Sequence, residues 1–123
     1  MSKIANESTT IIVDTIMGEC ESIISEVEDF VNEYEFTTEL DDFESIRYIA
    51  EELQSTIVVL EVDVLTEEQK TSTLAEAESL SIHLYQTIKY EVDALTELEL
   101  FDYNCEEFMN LRHSINTIRS LFV

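Results

Sequence analysis

Apolar residues recur along this chain at alternating steps of three and four. Val13, Ile16, Cys20, Ile23, Val27, Phe30 and Tyr34 hold that spacing, which keeps one apolar stripe in register over about six turns and predicts a helix over residues 7–35. Phe43, Ile46, Ala50, Leu53, Ile57, Leu60 and Val64 repeat the pattern. They follow EFTTELDD, where Thr38, Asp41 and Asp42 offer oxygens to the unpaired N–H groups of a helix start, so a second helix is predicted over 41–64. Leu74, Ala77, Leu80, Leu84, Ile88, Val92 and Leu95 form a less strict stripe that includes small residues and predicts a third helix over 67–94. Phe101, Cys105, Phe108, Leu111, Ile115, Ile118 and Phe122 predict a fourth, starting at 97 or 103 and ending at 121.

The connections between these helices have little of the usual chemistry, because the chain has no proline and Gly18 is its only glycine. Two of them coincide with a repeated string, EVDVLTEE at 61–68 and EVDALTEL at 91–98. Thr66 stands three residues before Gln69 and Thr96 three before Glu99, the spacing of a reciprocal capping pair, so both threonines are expected to start helices. Leu95 would staple to Leu100 in the second copy, whereas the first has Lys70 there. The competing reading leaves one or both threonines inside a continuous helix, since threonine does not break helices as proline does. Duplication is disfavoured: at the offset of the repeat, Leu53, Ile57 and Leu60 align with His83, Thr87 and Tyr90. The string is thus expected to turn the chain, with Glu61, Asp63, Glu67, Glu91, Asp93 and Glu97 adding charge near the bundle ends.

Helices of about 25 to 30 residues are roughly 37 to 45 Å long, and short connections favour antiparallel neighbours. The expected fold is all-α: an elongated antiparallel bundle of about four helices, in one domain spanning 1–123. The strict seams of the first two helices are also the surfaces of a coiled-coil homodimer, which leaves dimerisation open.

Charge changes the picture most. The chain has 28 Asp and Glu against 6 Lys and Arg, a net charge of −22 and a pI near 4.1. Solubility of a small domain needs a net charge of only about 2 to 8. The excess is also placed: no basic residue occurs between Lys3 and Arg47, a stretch with thirteen acids. Asp14, Glu21, Glu28 and Glu35 recur every seven residues along one flank of the first seam, and Glu19, Glu26 and Glu33 along the other. The polarity reverses at the other end, where residues 108–123 contain Arg112 and Arg119 and no acid. The residues expected to contact a partner are Asp14, Glu19, Glu21, Glu26, Glu28, Asp29, Glu33, Glu35, Glu39, Asp41, Asp42 and Glu44.

No pattern points to catalysis. So many carboxylates make no particular pair informative, and the chain has no phosphate loop, GxSxG, HExxH or CxxC. A di-iron bundle needs Glu three residues before His, but Leu80 and Asn110 stand there ahead of His83 and His113. A calcium loop needs a turn glycine, and the sole glycine lies in MGEC. No enzyme activity, metal or cofactor is expected. Cys20 and Cys105 read as small hydrophobes in a reducing compartment, His83 and His113 as surface or boundary residues, and the five tyrosines as bordering the core. With no apolar run long enough for a membrane span and no hydrophobic signal core in MSKIANESTT, a cytoplasmic protein is expected.

Duplex DNA has about one charge per 1.7 Å of axis, so 22 charges correspond to roughly 37 Å, the length expected of the bundle. In size and charge, though in no motif, the chain resembles the acidic DNA-mimic proteins of phages and mobile elements, including anti-restriction and anti-CRISPR proteins. That resemblance implies an inhibitor of a basic nucleic-acid-binding protein or nuclease complex, with no direct nucleic-acid binding of its own. The alternatives are an acidic helical adaptor, chaperone or immunity protein that masks a basic partner without mimicry, and a self-assembling helical protein.

Overall fold

A computed structural model describes residues 9–34, 40–62, 64–99 and 101–122. It contains α1 (Thr9–Glu33), α2 (Leu40–Phe43), α3 (Ser45–Ile57), α4 (Val59–Val62), α5 (Glu67–Glu97) and α6 (Glu106–Ser120), with no strand among the described residues. The two short pieces extend α3 at either end, so the architecture is an all-α bundle of four helical segments. α1 packs on α3 and α6, and α5 on the same two, which puts α1 and α5 at opposite corners. Met17 and Glu28 of α1 meet Gln54 and Arg47 of α3, and Glu19 and Glu26 meet Ser114 and Asn110 of α6. In both pairs the numbering runs in opposite directions, so these neighbours are antiparallel.

The predicted seams form the core. Val13, Ile16, Cys20, Ile23, Val27 and Phe30 are buried on α1, and Phe43, Ile46, Ala50, Leu53 and Ile57 face them. The surfaces a coiled-coil dimer would use are therefore already closed within one chain. At one end Phe30 is the hub of an aromatic cluster, with ring centroids of Tyr34, Phe43, Phe101 and Phe108 between 4.8 and 5.3 Å away. Such ring pairs contribute about 0.5–1.5 kcal/mol each beyond the area they bury.

The second predicted helix is segmented at Glu44 and Val58. Both residues keep right-handed helical angles, but Arg47 N–H bonds to Glu44 and Glu61 N–H to Val58, the tighter three-residue step. Four consecutive β-branched residues, Thr56, Ile57, Val58 and Val59, crowd the preceding turn at the second interruption. At the first, Ser45 Oγ donates to the Asp42 carbonyl at 2.6 Å and competes with the regular ladder. Val64, expected on the seam, lies beyond the helix and is fully exposed.

The two copies of the repeat differ. Thr66 caps α5 as expected: its hydroxyl accepts from Gln69 N–H at 3.1 Å, and its own N–H donates to Gln69 Oε1 at 2.9 Å. Thr96 starts no helix. It lies inside α5, which runs to Glu97, and its hydroxyl donates to the Val92 carbonyl at 2.8 Å. The helix is closed just beyond its end by Glu99, whose φ of 60° is the left-handed conformation that glycine would provide without strain. The turn into α6 is built by Asp102, which accepts from Asn104 N–H through its side chain and from Cys105 N–H through its carbonyl. α6 therefore starts at Glu106, later than either predicted start. The expected Leu95–Leu100 staple and the first residues of the predicted helix 7–35 lie outside the described residues.

Candidate interaction surface

The heptad spacing of the α1 acids places them beside the apolar seam, where α1 meets its neighbours. On the α3 side, Gln54 Nε2 donates to the Met17 carbonyl at 3.1 Å and to Glu21 Oε2 at 3.2 Å. One heptad on, Arg47 Nη1 meets Glu28 Oε1 at 3.4 Å. On the α6 side, Asn110 Nδ2 donates to Glu26 Oε1 at 2.8 Å and Ser114 Oγ to Glu19 Oε1 at 3.4 Å. Each row thus borders a helix–helix groove; Asp14, Asp29 and Glu33 are exposed, and Glu33 hydrogen-bonds the side chain of Tyr34. Between the rows runs an uncharged strip of Gly18, Ser22 and Ser25, all exposed. A Cβ built on Gly18 meets nothing within 4 Å, so no packing requires glycine there.

Of the seven carboxylates on α1, only Glu28 forms an ion pair among the described residues. That pair is partly exposed and contributes at most about 1 kcal/mol. Arg47 also lies 3.8 Å from Glu44 and stacks 4.9 Å over the ring of Tyr48, so a single cation interrupts the α1–α3 acid row. Asp41 and Asp42 are exposed on α2, but Asp42 lies close enough to Glu91 of α5 to raise its pKa, which directs it away from the α1 rows. Glu35 and Glu39 lie outside the described residues. Glu51 was not among the expected contacts, yet it is exposed on α3 between Arg47 and Gln54 at helical spacing and so extends the row of Asp14, Glu21 and Glu28. That spacing was the available signal; the pairing of α3 with α1 was needed to use it.

Other reactive groups are quiet. Cys20 is fully buried, and burial, reinforced by Glu19 and Glu21, pushes its thiol up to about 12, which keeps it protonated and unreactive. His83 and His113 are exposed. Among the described residues no group of three or more His, Cys, Asp or Glu could hold a metal ion, and no helix is long and apolar enough to cross a membrane. The exception to a solvated acid surface is Glu91, expected near a bundle end as surface charge. It is buried, and burial followed by Asp42 raises its pKa.

The class these features define is an acidic all-α four-helix bundle whose first helix presents seven carboxylates with one ion pair among the described residues. No protein-family model matches the chain, and no curated protein or solved structure matches it.

Proposed function

We propose that the protein inhibits a basic nucleic-acid-binding protein or nuclease complex by laying the α1 face in the channel that nucleic acid would occupy, in the manner of phage and mobile-element inhibitors of restriction or CRISPR systems. The observation that carries this reading is the pair of carboxylate rows on α1, with seven acids, no basic residue in the helix and one ion pair among the described residues. Seven charges over a 25-residue helix, roughly 37 Å long, is about one per 5 Å, against 3.4 Å for one strand of DNA. α1 thus stands in for a single strand to within a factor of two, and the −22 of the whole chain surrounds it with the potential of a duplex. A row of carboxylates attracts and steers a basic cleft while presenting no phosphodiester to cleave.

Reversal of Glu21, Glu26, Asp29 and Glu33 to Lys tests the surface and spares the Arg47–Glu28 contact. Affinity for a partner captured from the host, or from the host of its phage, is expected to fall by at least about 100-fold, with a flatter dependence on salt. Unchanged affinity and salt slope in a folded variant would remove α1 as the contact.

A further inference from the structure

Three of the six basic residues, Lys89, Arg112 and Arg119, lie along the pairing of α5 with α6, while the acid rows belong to α1. In a chain with 28 acids, none of the three forms an ion pair among the described residues, where the pairs involve Arg47 and Lys70. Two of them stack on aromatic rings instead. Arg112 lies 4.1 Å over Tyr103 and donates from Nη1 to that residue's carbonyl at 2.8 Å, and Arg119 lies 4.5 Å over Tyr85. Between α5 and α6 is a cavity of about 260 Å³ lined by both tyrosines, Lys89 and Arg112, with a floor of Ile88, Val92 and Ile115, each only 1% exposed. Asp93 also lines it, yet comes within ion-pair distance of neither Lys89 nor Arg112.

We propose that this cavity binds a small aromatic anion, with one ring lying on the apolar floor between Tyr85 and Tyr103 and a phosphate or carboxylate group held by Arg112 and Lys89. Arg112 uses one of its five N–H donors on the Tyr103 carbonyl, which leaves donors in fork geometry for two oxygens of an acid group. Pockets for drug-sized ligands run to about 300–1,000 Å³, so this one suits a single ring with one acid group and is too small for a dinucleotide. The ring and the acid are both required. An acid group alone keeps its hydration at an open rim, and a ring alone leaves the cations unmatched. The cavity is separate from the α1 face, and its occupancy does not depend on the proposed inhibition.

Phenyl phosphate is the direct probe, titrated into the full chain at low salt with the Ile88, Val92 and Ile115 methyl groups followed by NMR. Benzoate in its place distinguishes carboxylate from phosphate as the preferred acid, and saturation by either supports the site. Inorganic phosphate and benzyl alcohol serve as the acid-only and ring-only probes. Saturable shifts of the floor methyls are expected with an aromatic anion, and binding about tenfold weaker or more with each partial probe. Lys89→Gln is expected to weaken binding at least about fivefold at unchanged Tm, because its exposed side chain makes no hydrogen bond or ion pair among the described residues. Arg112→Gln is expected to weaken it further; it also removes the Tyr103 contact, so Lys89→Gln decides the matter if Arg112→Gln unfolds. Shifts that stay linear, that centre on other residues, or that are unaffected by Lys89→Gln would overturn the proposal.

Discussion

EVDVLTE and EVDALTE differ by one methyl-rich residue and have opposite structural fates. In the first copy the chain leaves the helix after Val62, Val64 faces solvent, Glu61 is exposed and Thr66 caps α5. In the second the helix continues, Glu91, Val92 and Leu95 are buried, and Thr96 bonds back to the Val92 carbonyl. Each copy has an acidic or amide residue three positions past its threonine, so the capping signal is available twice. Burial decides which copy uses it. Val92 and Leu95 continue the buried stripe of Leu84 and Ile88, and unwinding there would expose two core side chains to gain one cap.

The largest effect that separates the copies should come from that buried leucine. Leu95→Ala is expected to destabilise by about 2–5 kcal/mol, and Leu65→Ala, at a half-buried site, by clearly less, as read from urea denaturation midpoints. Equal losses would mean that both copies carry the same packing. The threonines come next: Thr66→Ala should cost about 1 kcal/mol through loss of the reciprocal cap, while Thr96→Ala should change stability by no more than a few tenths. The reverse order would place the helix start at Thr96.

The smallest contrast separates Glu91 from Glu61. Glu91 is held above its ordinary carboxylate range by burial and then by Asp42, so the folded state binds this proton more tightly than the unfolded chain does. Its protonation stabilises the fold at pH below the ordinary value of 4.5, and that contribution is lost as pH rises through the higher folded-state value. Glu91→Gln should therefore raise stability at pH 7 by up to about 1 kcal/mol, and the gain should shrink toward pH 5. Glu61→Gln, on an exposed site, should raise stability at pH 7 only through the general relief of charge repulsion. Thermal melts of wild type and both variants from pH 5 to 8 measure the difference.

How far the sequence reaches follows from the same contrast. The three-four stripes identified the buried faces of α1 and α6 nearly residue by residue, because a helix with one apolar side must bury it. The carboxylate rows were legible for the same reason, since heptad spacing fixes a side of a helix before any neighbour is known. What lay across from them was not legible: Gln54, Asn110 and Ser114 meet the rows only because α3 and α6, rather than α5, adjoin α1. The α5–α6 cavity was hidden for the same reason, as Lys89 and Arg112 come together only through helix pairing. Two interruptions have local signals in the sequence. The Asp and Asn of FDYN mark the turn before α6, and the β-branched run 56–59 marks the interruption at Val58.

In function the bundle puts its stability and its charge in different places. Core side chains of all four helical segments hold it together, and six of the seven α1 carboxylates form no ion pair among the described residues. Carboxylates that are positioned by hydrogen bonds to neighbouring helices, yet mostly without a cation beside them among the described residues, are suited to an external basic partner, and nucleic acid and α1 are proposed to compete for the same site on that partner. The most direct measurement immobilises the wild-type protein with its captured partner and titrates in a short DNA duplex at fixed ionic strength. The duplex is expected to release the partner, with a midpoint that moves in proportion to the affinity of the partner for DNA. Retention of the partner at duplex concentrations that saturate its own nucleic-acid site would contradict mimicry and leave an acidic protein that masks its partner elsewhere.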